Sequence, residues 1–486
     1  MGSLSAQTDP GWATIGGNAG RNGLIEALGP DKPRMLWQGT GVEATAANQV
    51  YLSGSEVVTT RRQSNRYAPL VCHDLYTGEL LWTKDLADKA GQSIPVGFRE
   101  GVVYAIRAAQ RADTLYALAA ADGSVLWQAE AAVKCAHTAS INFAPDGDLI
   151  VESAAGELMR VDHRSGRTVW RTKCQPIAAG EMHPTVGNGH VYAWEWQRYP
   201  NQAVSAFDLT SGERVATRVI PNEGKQVGFV QTPITVGPGG TVYAYKPHDH
   251  LVALHHEGSE LRTRWKTPVT GSAAFSQLAC TPEGDVYLPD GGRIVRVATR
   301  TGQRVDSTEK LVRNADAMSV RMAVDAMGHV FASVGEFPTG TLRAFGPDLK
   351  QLWQHPIEGL HLSGPALNEN GMLVVAGSGR QLLTFQPAQY VATGGMVPAE
   401  RRYNVNVTPD PDQAAPKVQY SLQASENVRI RVSDLTGRSL RTWEFENQPA
   451  GAYEILLKEL DERNGGMFIL TFENEEGEVV RKKVSK

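Results

Sequence analysis

A glycine followed four residues later by a tryptophan recurs along this chain, in DLYTGELLWTK at 74–84, LAAADGSVLWQ at 118–128 and DHRSGRTVWRT at 162–172. The glycine marker continues as Gly212 in DLTSGERV, Gly258 in HHEGSELRTRW and Gly302 in ATRTGQRV, with successive markers 43 to 46 residues apart. Self-similarity at such a period constrains the fold more than any local propensity, because each unit must bury its apolar face against the next copy. An alternating strand precedes each marker (LYALAA, LMRVDH, VSAFDL, LVALHH). A second apolar strand stands before it (GVVYAI, GDLIVE, HVYAWE, TVYAYK), and an inner segment such as HPTVGNG or TPITVGPGG comes first. Each unit therefore supplies four short strands joined by tight turns. The marker glycine fits a turn position of positive φ, which a Cβ resists. The outer tryptophan reads first as a wedge between neighbouring units, and only second as a shelf for a ligand.

Inner, second and third strands recur eight times, the last set at 362–386. No outer strand follows Phe385; the missing one stands at the front, as RMLWQ at 34–38. The sequence thus predicts an all-β fold, an eight-bladed β-propeller of four-stranded blades over residues 11–387, with seven blades as the alternative count. An N-terminal strand completes the last blade and hides two sheet edges. Residues 1–10 read as a disordered or vector-derived start and 388–403 as a linker. From 404 to 486 the alternating strands KVQYSL, VRIRVSDLTG, SLRTWEFE, GAYEILL and GMFILTFE fit a small β-sandwich.

Composition narrows the function. The 48 basic against 52 acidic side chains argue against a nucleic-acid partner held by a global positive field. No run of about 18 apolar residues occurs, so no transmembrane segment is expected. The start carries no basic and apolar signal regions, and Leu-Ser-Ala-Gln suits the end of a signal peptide already removed, which predicts an extracellular or outer-surface location. Cys72, Cys135, Cys174 and Cys280 form no C-x-x-C pair. They read as single buried thiols, with a Cys135–Cys174 bridge left open in an oxidising compartment.

The repeat, with its Asp or Ala, x-x-[Thr/Ser]-Gly and Trp, and the opening GWATIGGNAGRNGLIEALGP resemble the pyrroloquinoline-quinone-like (PQQ-like) propeller family over about residues 11–387. That family includes quinoprotein alcohol dehydrogenases and a non-enzymatic scaffold lipoprotein of the outer-membrane assembly machine. The resemblance to the dehydrogenases implies adjacent cysteines over the quinone and a calcium site of Glu, Asn and Asp. This chain has no Cys-Cys pair and no matching calcium set, so no cofactor is expected: PQQ is disfavoured and calcium has no motif behind it. GGNAGRNG looks like a phosphate loop but follows no strand and opens no helix, and is discounted. The tail resembles the C-terminal sorting domain of type IX secretion substrates in NVTPDPD, IRVSDLTGRSL, GGMFILTFEN and RKKVSK, although Thr-Pro-Asp-Pro stands where that family has Pro-Asn-Pro. This resemblance implies export across an outer membrane and type IX secretion machinery as a partner of residues 404–486; a generic sandwich is the alternative.

Candidate ligand-binding residues lie where loops exceed what a turn requires. Between second and third strands these are Arg61, Arg62, Arg66 and Tyr67 in the first unit, Arg107 and Arg111 in the second, and Trp194, Trp196, Arg198 and Tyr199 in the fourth. The fifth adds His248. The starts of inner segments add His137, His183, Gln231, Arg321 and His361. Arginine forks bind carboxylate or sulfate and aromatic rings stack on sugars, a combination suited to an anionic glycan. His137, His183 and Tyr199 are the candidates for proton abstraction beside a uronate carboxylate; the plain alternative is solvated loop charge. His248, Asp249, His250, His255 and His256 lack a ligand spacing, so no metal site is expected. The leading reading is a secreted or cell-surface binding or scaffold propeller for a glycan or protein. The alternatives are a polysaccharide-degrading enzyme, lyase rather than hydrolase because no paired acids stand out, and an envelope assembly scaffold.

Overall fold

The repeat's aspartate builds its own turn. Asp74 Oδ1 accepts hydrogen bonds from the N–H groups of Tyr76 and Thr77 and from Thr77 Oγ1, and Gly78 follows at φ 75°. Asp162 with Ser165, and Asp208 with Ser211, repeat the arrangement. A short polar side chain capping the next backbone donors makes such hairpin turns locally determined.

The computed structural model describes residues 11–40, 50–61, 68–87, 92–108, 113–134, 141–175, 182–197, 201–223, 232–271, 276–336, 339–358, 364–377 and 381–387, then 406–409, 416–422, 425–433, 439–449, 451–457, 467–474 and 479–485. The chain divides into two units, Met1–Tyr390 and Val391–Lys486. Among the described residues of the first unit there are eight four-stranded antiparallel sheets. Blades 1 to 7 span 51–84, 92–128, 142–173, 185–220, 235–268, 279–307 and 319–358; blade 8 combines 366–385 with Met35–Thr40. The closing strand pairs antiparallel along Gln381–Phe385, so the ring ends where it begins.

Tryptophans join five of the blades to the following one. Indole Nε1 of Trp37, Trp82, Trp127, Trp170 and Trp265 donates to the carbonyls of Leu75, Ala120, His163, Leu209 and Thr299, each three residues before the marker glycine of the next blade. A Cβ on Gly78, Gly123, Gly166, Gly212 or Gly302 would lie 2.6 to 2.9 Å from that ring, so the flat face of the indole and the bare glycine need each other. One detail escapes the sequence pattern. In every blade the outer strand has a register shift immediately before the wedge position, a β-bulge that turns the indole toward the next blade. Two seams lack the wedge: Ala216 occupies its position in blade 4 and Asp306 in blade 6. The marker of blade 5, Gly258, sits at the tip of a longer hairpin and has nothing within 4 Å of a would-be Cβ.

The glycine-rich opening forms a collar. Trp12 pairs with Leu52 of blade 1, and Ala13 O accepts from Phe98 N of blade 2. Ala19 O accepts from Asn142 Nδ2 of blade 3 and Val186 N of blade 4. Gly20 O, Asn22 O and Gly23 O then accept from Val236, Cys280 and Val324 of blades 5, 6 and 7, while Leu28 O lies against Gly371 of blade 8. One short segment thus meets all eight blades in order, at the end where inner strands finish, and leaves the end where they begin.

The second unit holds two antiparallel sheets. One orders Asn406–Pro409, Pro416–Leu422 and Gly451–Leu456; the other orders Ser439–Gln448, Glu426–Ser433, Met467–Asn474 and Val479–Ser485. Alternate residues of both sheets, among them Val418, Tyr420, Ile430, Val432, Leu470 and Phe472, share one apolar core, as expected of a two-layered sandwich.

Candidate functional site

Two sequence-predicted residues, on or just before inner strands, carry buried nitrogens without hydrogen-bond partners. Arg321 begins on the inner strand of blade 7, is 3% exposed, and has Nε and Nη1 without hydrogen-bond partners. His183, just before the inner strand of blade 4, is 2% exposed, and neither ring nitrogen has a partner. His183 also adopts φ 45°, a left-handed conformation that costs a β-carbon residue on the order of 1–2 kcal/mol. Burial, reinforced by the charges of Arg21, Arg321 and Lys134, pushes its imidazole down to about 3. Burial also lowers the Arg321 guanidinium to about 10, opposed only by Tyr51. Arg21 of the collar, Lys134 and Arg321 thus act on His183, and Tyr51 acts on Arg321.

The neutral state of His183 has a measurable consequence. Its folded pKa lies below the unfolded value near 6.5, so the unfolded chain binds the extra proton first. The contribution to stability is complete above pH about 6.5 and is lost as pH falls toward about 3, on the order of a few kcal/mol across that window. In His183→Asn, which keeps a side chain tolerant of left-handed backbone, the slope of unfolding free energy between pH 6 and 4 is expected to flatten. Equal slopes in the two proteins would refute the assignment.

Sequence reading missed the supporting residues. Arg21, in the discounted GGNAGRNG stretch, is 1% exposed and donates through Nε to Pro184 O and through Nη1 to Ile15 O. Lys134 pairs with buried Glu152 at 3.3 Å, and Glu152 accepts from Met182 N. An arginine embedded in a glycine-rich run was the available signal for Arg21; nothing local marked Lys134.

Other expected residues fall elsewhere. Trp194 is wholly buried and donates to Thr232 O, a core residue and not an exposed stacking platform. Trp196 packs partly buried on the same cluster. The two-residue periodicity put Trp194 on the inward face of its strand, and this corrects its place in the ligand set. Arg61 is partly buried, and Arg107 is exposed beside Thr114. His248 sits in a tight turn at φ 59°, 3.7 Å from Asp316, while its neighbour Asp249 is tied to buried Lys246 at 3.0 Å and to His250 at 2.6 Å. Arg62, Arg66, Tyr67, Arg111, His137, Arg198, Tyr199, Gln231 and His361 lie outside the described residues. Cys174 is a free thiol pushed up to about 12 by burial; Cys135, the other end of the bridge left open from sequence, lies outside the described residues. Asp148, Asp162 and His163 gather as a metal could require, but Asp148 already holds Arg160 and His163, and Asp162 caps its own turn.

The first unit is a β-propeller built from PQQ-like repeats. The chain belongs to the family described as outer membrane protein assembly factor BamB, whose model matches residues 21–193 and 111–334. No curated protein matches. Among solved structures, BamB from Moraxella catarrhalis is 16% identical with a TM-score of 0.53, covering 74% of this chain and 98% of that one. Quinohemoprotein alcohol dehydrogenase from Comamonas testosteroni is 13% identical with a TM-score of 0.59, covering 84% of each. At these identities the likeness concerns the fold.

Proposed function

We propose that this chain is a non-enzymatic scaffold of the cell envelope whose propeller binds a protein partner. The family match across the blades carries this reading, since the family's description is that of an assembly factor. A rigid closed ring with uneven loops at the end opposite the collar suits such a role. The residues present do not fit a calcium–quinone pair. Cys72 and Cys280 are packed in separate inter-blade cores, and the positive charges of Arg21, Lys134 and Arg321 act on His183, where a hard divalent ion needs several oxygen anions. The glycan reading rests on Arg107 and on the loop residues named from sequence, and comes second. Export by a type IX route, with residues 404–486 as sorting domain, accompanies the proposal.

Cross-linking of the tagged full chain in native envelopes is expected to recover outer-membrane proteins or their assembly components. The same purified protein is expected to leave acidic polysaccharides unchanged, read by the ultraviolet absorbance of unsaturated uronate. Turnover of a polysaccharide, abolished in His183→Asn, would overturn the scaffold in favour of the lyase. Removal of residues 404–486 is expected to retain the chain inside the cell, and normal surface delivery without them would refute the sorting role.

A further inference from the structure

A guanidinium buried without an acceptor is costly, because its hydration is lost and nothing in the protein replaces it. Arg321 is in that position, yet the surrounding residues are arranged to keep it there. Gly364, in the approach to the inner strand of blade 8, leaves room for its stem: a Cβ at that position would lie 2.9 Å from Arg321 Cβ and 3.1 Å from Cδ. Tyr51, on the inner strand of blade 1, acts electrostatically on Arg321, and Arg321 acts on His183, just before the inner strand of blade 4. Among the described residues, no carboxylate is a cause of the shift at either Arg321 or His183. Glu152, the nearby buried acid, is already held by Lys134 and Met182 N.

We propose that Arg321 and His183, buried on or just before inner strands of the propeller, form a binding site for a small oxyanion, a carboxylate or phosphate group. The guanidinium has Nε and Nη1, on different edges, free to donate, so each can give an oxyanion one charge-assisted hydrogen bond. The neutral imidazole adds one N–H donor, and its left-handed backbone holds the ring where neither nitrogen finds a protein partner. Arg21, committed to Pro184 O and Ile15 O in the collar, adds positive charge without competing for the ligand. This site is independent of the scaffold reading: titration with an anion needs no partner protein, so either proposal can fail alone.

Calorimetric titration and thermal melting of the full chain with phosphate and with succinate, at constant chloride, test it. One saturable site per chain and a rise in melting temperature are expected, and the anion bound more tightly identifies the ligand as phosphate or carboxylate. Arg321→Met removes the guanidinium and is expected to weaken binding by about tenfold or more, while its anion-free form melts no lower than the parent. Should that variant not fold, His183→Asn and Gly364→Ala carry the test; the latter presses on the Arg321 stem while leaving every charge in place, and both are expected to weaken binding. Absence of saturable binding by either anion, or equal binding by the parent and all three variants, overturns the proposal.

Discussion

A chain lacking residues 1–40 is expected to lose the cooperative thermal transition of its propeller. The deletion removes the collar, which meets all eight blades, and the strand Met35–Thr40, whose loss opens the edge of Gln381–Phe385. It also removes Trp37 from its place over Gly78, and Trp12, which is almost fully buried against Leu52. A large buried aromatic truncated to alanine costs about 3–5 kcal/mol, and two are lost here along with a strand. That sum rivals the whole stability of an ordinary domain, about 5–15 kcal/mol. Unpaired strand edges also template association, so aggregation should accompany the loss. Differential scanning calorimetry decides the matter. A truncated chain that stays monomeric and melts within a few degrees of the parent would show that the blades hold together without closure.

The second large effect concerns the wedge itself. Trp82→Ala is expected to cost about 3–5 kcal/mol, because Trp82 is only 9% exposed and its Nε1 bonds to Ala120 O across the seam. Gly123→Ala attacks the same contact from the other side, with a Cβ 2.9 Å from the indole at a backbone φ of 70°. Gly258→Ala provides the internal control: φ is again positive, 56°, but Gly258 is at the tip of a longer hairpin and nothing lies within 4 Å. It should therefore cost only the conformational part, about 1 kcal/mol. Denaturant midpoints are expected to fall least for Gly258→Ala and further for Gly123→Ala. Combining Trp82→Ala with Gly123→Ala should cost less than the sum, since the clash disappears with the ring. Equal effects of the two glycine substitutions would mean that the indole contact contributes nothing.

The Gly–Trp spacing was legible because turn and wedge lie within one hairpin. Asp74, Thr77 and Gly78 specify their turn with bonds reaching at most five residues along the chain. Closure was legible by subtraction, an outer strand absent after Phe385 and present before the first blade. The bulge before each wedge was not: it shows only as a shift in cross-strand register, and Leu81, Leu126 or Val169 look like any strand residue. Trp194 was misplaced as a ligand platform because a long loop suggested exposure, whereas strand alternation turned its ring inward against Ile234 and Val236.

By itself the sequence determined the repeat, the kind of blade, the closing strand and the separate tail. These follow from hydrophobic periodicity and turn chemistry, which act over a few residues. Only the tertiary structure decided the collar's path and the meeting of Arg21, Tyr51, Lys134, His183 and Arg321, drawn from four blades and the opening segment. Ring closure brings together residues up to 300 positions apart, from 21 to 321. No local pattern encodes that distance, and the cost of burying an unpaired cation becomes visible only when every neighbour is in place.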